Sequence, residues 1–299
     1  MQKTLTSALF AILLLPALLL AQEPGTQSRT LKVGDDTREY LLHIPRGFQK
    51  SEQKRAPLVV MLHGRTSNGK AAASDYYGWT KLADQEGFVA AFPTALGKPT
   101  SWQPAVGVKE TADTKFLAAL IDALVAELAL DKDRVFMTGH SSGGFMSYSF
   151  AVAHSDKVSA IAPVAGQFLG KGQPTLPVSV ISFHGMADNV VAYDAEHGKR
   201  ATYRGMPSAL ESAAAFAKHD GCSDKPKRSE LHDGKVHVDS WENGTAGTRV
   251  ELYSIEQWGH GWPTGKCEVA ATPLIWKFFQ QHARTPAATG DAKKGDAKK

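Results

Sequence analysis

The chain has 299 residues, of which 42% are hydrophobic and 21% charged. That is an ordinary globular composition, and it excludes a largely disordered, collagen-like or disulfide-dense protein. The formal net charge is +4, but its location decides its meaning. With Lys3 near the N-terminus and Arg284, Lys293, Lys294, Lys298, Lys299, Asp291 and Asp296 near the C-terminus set aside, residues 22–283 balance 28 basic against 28 acidic residues. A neutral body lacks the basic face that a nucleic-acid partner requires.

Residues 1–21 read as a secretory signal peptide. Lys3 supplies the positive start, 9–20 is an apolar run broken by Pro16, and the small Ala21 precedes the polar Gln22 and Glu23. The run is short for a membrane span and has signal-like flanks. The expectation is therefore a secreted protein, extracellular or periplasmic, with no membrane attachment after signal cleavage.

The first strand is predicted at 39–44. The apolar run Leu-Val-Val-Met-Leu at 58–62, between Pro57 and Gly64, suits a strand buried on both faces, and 87–92 repeats the pattern. At 113–128 Phe116, Leu117, Leu120, Ile121, Leu124 and Leu128 recur at helical spacing. Then follow a strand at 134–138, a helix at 143–154, strands at 158–164 and 178–184, and a helix at 208–219. A hairpin at 227–241 turns at Asp233-Gly234, and a strand at 249–256 and a helix at 272–283 close the fold. This alternation predicts the α/β class, with a mainly parallel sheet covered on both faces and one domain at 22–283. The stretch 284–299 has no aromatic residue and repeats Gly-Asp-Ala-Lys-Lys. It reads as a disordered basic tail.

The most informative segment runs from Arg134 to Met146. Gly139-His140-Ser141-Ser142-Gly143 is a G-x-S-x-G pattern placed between a strand and a helix. In that setting the glycines let strand and helix approach, and the turn lifts Ser141 above the sheet as a nucleophile. A serine hydroxyl needs a base, and the base needs an orienting acid; the α/β-hydrolase order is Ser, then Asp or Glu, then His. Asp188 follows the strand at 178–184, and His260 follows the strand at 249–256, so both fit. Asp194 and Glu196, deeper in the same loop, are rival acids. His63 and His184 end strands ahead of the expected base and read as structural. Oxyanion donors are expected from the backbone N–H of Ser142 and of Arg65, the latter after Gly64. His232, Asp233, His237 and Asp239 sit on the polar hairpin without a further ligand cluster, so neither a metal site nor any other cofactor is expected.

Two cysteines, Cys222 and Cys267, lie in the exported part. An even count in an oxidising compartment predicts one disulfide between them. Trp102, Trp258 and Trp262 are the candidates for binding substrate, Trp262 foremost because Pro263 fixes the turn beside His260. Tyr76, Tyr77 and Trp79 follow the oxyanion loop as further aromatic candidates.

Leu-His-Gly-Arg-Thr at 62–66, Thr-Gly-His-Ser-Ser-Gly-Gly-Phe-Met at 138–146, His-Gly-Met-Ala-Asp-Asn-Val-Val at 184–191 and Gly-His-Gly-Trp-Pro-Thr-Gly at 259–265 occur in that order. Together they resemble the secreted feruloyl/acetylxylan esterase and polyhydroxybutyrate depolymerase family of α/β-hydrolases, and 113–122 resembles that family's helix before the nucleophile strand. The resemblance covers about 30–283. It implies Ser141 as nucleophile, Asp188 as acid and His260 as base, acting on a small-molecule or polymeric ester. Arg65 stands where many members carry Cys, which leaves the backbone donor in place. The expected activity is hydrolysis of feruloyl or acetyl esters of plant polysaccharide. A polyester depolymerase shares the same chemistry. A serine peptidase or a non-catalytic binding module ranks lower, since Ser141, Asp188 and His260 stand in working order and 30–283 holds no propeller or lid domain.

Overall fold

The computed structural model describes residues 23–106, 110–170 and 172–284. The expected signal peptide at 1–21 and the tail from 285 onward lie outside the described residues. Ten strands form one sheet in the order β1-β2-β4-β3-β5-β6-β7-β10-β9-β8. They are β1 (Gly25–Val33), β2 (Asp36–Ile44), β3 (Leu58–Leu62), β4 (Val89–Pro93), β5 (Val135–His140), β6 (Ala160–Val164), β7 (Ser179–Gly185), β8 (Lys227–Leu231), β9 (Val236–Trp241) and β10 (Val250–Ile255). The six central strands from β4 to β10 run parallel, and antiparallel strands close both margins. This is the expected α/β-hydrolase architecture.

Side chains alternate across the central strands, and each set meets its own helices. Leu58, Val60 and Leu62 pack with α3 (Ala112–Leu128), α4 (Ser142–Ala153) and α5 (Ala209–His219). Val59 and Met61 pack on the other face, with α2 (Trp79–Glu86) and α6 (Ala271–Gln281). All five residues of β3 are buried, which is why its sequence is continuously apolar. An ion pair within the first layer ties β2 to α3. Arg38 Nη2 lies 2.6 Å from Asp113 Oδ1, and the Arg38 guanidinium sits 4.0 Å above the Phe116 ring.

One strand and two α-helices escaped the sequence reading. Strand β1 is an edge strand whose residues alternate between half-buried and exposed, so no apolar run marks it. Helix α1 (Gly69–Ala72) is a single turn. Helix α2 buries only Trp79 and Ala83, and it starts from Gly78 rather than from a side-chain cap. The C-terminal boundary also moves. Arg284, assigned to the tail, belongs to the body: its N–H donates to Asp133 O at 2.8 Å, and its guanidinium holds the carbonyls of Ser155, Asp156 and Val158.

The expected disulfide is not formed. Cys222 and Cys267 are both free thiols. Cys222 packs against the α3–α4–α5 face and Cys267 against the α2–α6 face, so the sheet separates them. Each thiol is held locally, Cys222 Sγ 3.8 Å from Thr248 O and Cys267 Sγ 2.9 Å from Val269 O. Sequence separation and compartment carry no information about which face of a sheet a cysteine occupies.

Candidate active site

Four strand ends converge at the C-terminal edge of the parallel sheet, where α/β folds place their chemistry. Strand β5 ends at His140, and Ser141 sits in the turn before α4 with φ 55° and ψ −117°. This is a strained backbone conformation for a residue with a Cβ. The surroundings enforce it. Ser141 N donates to Val164 O at 2.9 Å, while Gly144 N and Phe145 N both donate to Ser141 O. The two pattern glycines are required by space: a Cβ on Gly139 would collide with the Gly143 main chain, and one on Gly143 with the carbonyl of Leu62. The motif read from sequence is thus a packing solution in which β3, β5 and α4 touch backbone to backbone.

Asp188 lies past the end of β7 and is almost fully buried, at 2% exposure. Its carboxylate is enclosed by donors. Oδ1 accepts from the N–H groups of Val190 and Val191 at 2.8 and 2.9 Å, and Oδ2 accepts from His260 Nδ1 at 2.7 Å. Burial alone would raise its pKa. Hydrogen bonds from His184, His260 and Val190 outweigh it and hold the carboxyl well below the usual carboxylate range. The loop carrying His260 is laced to the loop carrying Asp188: Met186 N donates to Ile255 O and Ala187 N to Trp258 O. The pair is therefore fixed by main-chain bonds as well as by its own contact. Asp194, the rival acid, instead pairs with His197 at 2.9 Å.

His260 has its Nδ1 committed to Asp188, which leaves Nε2 as the nitrogen available for proton transfer. The ring of His140, next to Ser141, is centred 5.1 Å from the His260 ring. A Ser141–His260 hydrogen bond is not among the contacts of the described residues; such contacts commonly tighten when substrate binds. Burial pushes the pKa of His140 down to about 3, with His260 adding to the effect, so His140 is a neutral wall to the site. Tyr77 lies at 3.5 Å from His140 Nδ1, and burial pushes its hydroxyl up to about 12.

The loop after β3, expected to supply an oxyanion donor, lies directly beside Ser141, since a Cβ on Gly64 would stand 3.6 Å from Ser141 Cβ. Neither Arg65 N nor Ser142 N donates to a protein acceptor among the described residues. The Arg65 side chain reaches outward to Tyr203 Oη at 2.9 Å. His63 is structural, as expected: its Nε2 accepts from Ala95 N at 3.0 Å, and burial lowers its pKa.

The tryptophan candidates fare differently. Trp102 is 3% exposed and donates to His63 O at 2.9 Å; Trp262 is 1% exposed and donates to Thr272 Oγ1 at 3.0 Å. Both brace the loops from within and present no face to a substrate, which corrects the sequence assignment. Trp258 is half-buried, its N–H on Gly261 O at 3.1 Å. Of the neighbouring aromatics, Trp79 is buried and Tyr77 packs edge-on against Trp262. Among the described aromatic residues Tyr76 and Tyr203 are left exposed, at 52% and 43%. A shallow crevice of about 20 Å³ runs along α4, lined by Pro104, Val106, Phe145, Ser149, Val152 and Phe168. Its residues come from three separated segments, so no single stretch of sequence marks it. The metal ligands weighed on the hairpin disperse: Asp239 binds Arg228, and His237 lies 3.2 Å from Glu256.

Comparison with known proteins agrees with this architecture. Residues 38–224 match the family model described as "Esterase PHB depolymerase". A protein named "Putative esterase NocK" from Nocardia uniformis subsp. tsuyamanensis is 31% identical over 265 residues, covering 80% of this chain and 75% of that protein. "Feruloyl esterase B" from Piromyces equi is 26% identical over 260 residues, and the chain spans 45% of its length. The structure titled "Acetyl xylan esterase from Aspergillus awamori" superposes with a TM-score of 0.65 at 16% identity, covering 86% of this chain and 99% of that one. The chain belongs to the esterase PHB depolymerase family and is a carboxylic-ester hydrolase.

Proposed function

We propose that this carboxylic-ester hydrolase is a secreted serine esterase in which Ser141, His260 and Asp188 form a catalytic triad. The observation that carries the reading is the 2.7 Å contact of His260 Nδ1 with a buried Asp188, beside a serine held at φ 55°. His260 Nε2 takes the Ser141 proton as Oγ attacks the ester carbonyl carbon. The tetrahedral oxyanion is held by the N–H groups of Ser142 and Arg65 and by the positive end of α4. Collapse expels the alcohol, which receives the proton from His260. Water then repeats the sequence on the acyl-enzyme and releases the acid. No metal or cofactor takes part in these steps.

The substrates we propose are feruloyl or acetyl esters of plant polysaccharide. The neutral body suits an uncharged ester, and the similarity to a protein named feruloyl esterase supports this class. The family description also names polyester depolymerisation, the alternative. Methyl ferulate, acetylated xylan, a polyhydroxybutyrate film and a peptide amide, compared at equal enzyme, separate the readings. Turnover of methyl ferulate or acetylated xylan well above the film is expected. Clearing of the film without turnover of the soluble esters would reverse the assignment.

A further inference from the structure

His184 is the penultimate residue of β7 and is 2% exposed. Its Nε2 lies 3.1 Å from Val191 O and 3.3 Å from Asp188 Oδ2. A carbonyl oxygen only accepts, so Nε2 carries the proton and donates to Val191 O, with Asp188 Oδ2 as the longer second contact of the same N–H. The other ring nitrogen, Nδ1, is buried without any partner. A second proton there would have no acceptor, so the geometry favours a neutral ring.

This arrangement closes a circuit around the acid. Val191 N–H donates to Asp188 Oδ1, while Val191 O accepts from His184 Nε2 with Asp188 Oδ2 as the longer second contact. Oδ2 is also the oxygen that receives His260 Nδ1. We infer that His184 is a positioning residue for the hydrolytic reaction: with its N–H against the same carboxylate oxygen that His260 uses, it locks the rotation of Asp188 and tempers the negative charge that His260 feels. The inference rests on the triad reading above.

The remaining titratable groups around this set are His140, beside His260; Tyr77, against His140; and Tyr193, whose ring meets His184 edge-on at 5.7 Å. Tyr193 Oη is engaged with Ser254 Oγ at 2.8 Å, so it does not compete for His184.

Two substitutions separate positioning from packing. His184→Leu removes the donor, and His184→Gln keeps an N–H on a side chain of similar reach. In His184→Leu, kcat should fall about 10- to 100-fold with KM within 2-fold, and the acid limb of the pH–kcat/KM profile should move to higher pH. The limb moves because an unshared Asp188 charge stabilises the imidazolium form of His260 more strongly. His184→Gln should recover most of kcat and return the limb to its original position. Rates are normalised to folded enzyme by circular dichroism. An unmoved limb in His184→Leu, or a His184→Gln variant no better than His184→Leu when both are folded, would overturn the inference. If His184→Leu does not fold, nitrogen NMR of the unmodified enzyme at pH 8 decides: the ring proton on Nε2 supports the inference, and the ring proton on Nδ1 refutes it. His260→Ala serves as the control. Full activity in His260→Ala would sink the triad reading itself. Loss of activity there, with His184→Leu unaffected, would sink only the role of His184.

Discussion

Asp188 Oδ2 and His260 Nδ1 lie 2.7 Å apart although 72 residues separate them in the chain. The contact depends on two loops from neighbouring parallel strands, β7 and β10, whose main chains are bonded to each other beyond the strand ends. His260 is therefore oriented by a scaffold rather than by one flexible side chain.

Asp188→Asn should lower kcat by about 10²- to 10⁴-fold, because an amide at this position favours the wrong imidazole tautomer. The same group has a stability signature. Its folded pKa is depressed, so its contribution is fully present above the unfolded value and is lost as pH falls below about 4. Thermal melts should therefore show wild type losing its advantage over Asp188→Asn as pH falls from 5 toward 2. A melting-temperature difference independent of pH would contradict the assignment.

Arg65 offers a test of backbone against side chain. Arg65→Ala keeps the N–H, and its side-chain contact to Tyr203 is exposed, so kcat should stay within about 10-fold. Arg65→Pro deletes the N–H, and loss of one oxyanion donor costs on the order of 10²–10³ in kcat. Steady-state rates on a soluble ester, with folding checked by circular dichroism, distinguish the two. Equal losses in both variants would assign the effect to the guanidinium.

The cysteines give a prediction opposite to the one their number suggests. Denatured, unreduced protein should titrate with two thiols and gain two alkyl groups by mass. Reductant should leave the melting temperature unchanged. In the folded state alkylation at pH 8 should be slow, since burial pushes the Cys222 thiol up to about 11 and raises that of Cys267. A Cys222–Cys267 peptide in a non-reducing map would contradict the free-thiol assignment.

Asp220 behaves in the opposite sense to Asp188. Burial raises its pKa to about 6, against hydrogen bonds from His219, Val178 N and Thr248. A raised carboxyl favours the folded state at low pH; that contribution is lost as pH rises from about 4 through 6. Asp220→Asn removes the titration. The variant's melting temperature relative to wild type should therefore be higher at pH 7 than at pH 4.5. No change in that difference would mean that Asp220 ionises normally in the fold.

Much of this site was legible because its constraints are local. Gly139, Ser141 and Gly143 record a strand–turn–helix in which backbones touch, and continuous apolar runs such as 58–62 record burial on both faces. The order of Asp188 and His260 after successive strands pairs two side chains that the structure brings to 2.7 Å. What stayed hidden depends on the third dimension. Trp102 and Trp262 stand near the catalytic segments in sequence, yet their N–H groups point into the core toward His63 O and Thr272 Oγ1. His184 was read as a structural histidine; its link to Asp188 needs the curl of the 189–191 loop, which folds Val191 back over the ring. Among the described residues strand β1 pairs only with β2, and an edge strand needs no apolar run.

The most direct measurement of the central claim is active-site labelling. Treatment with an organophosphonate, followed by peptide mapping, should place one adduct on the peptide containing Ser141, with fragment ions assigning it to that hydroxyl. Ser141→Ala should fold normally, lose the adduct and lose about 10⁴-fold or more in kcat. An adduct on Ser142, or an unlabelled enzyme that still hydrolyses esters, would contradict the account.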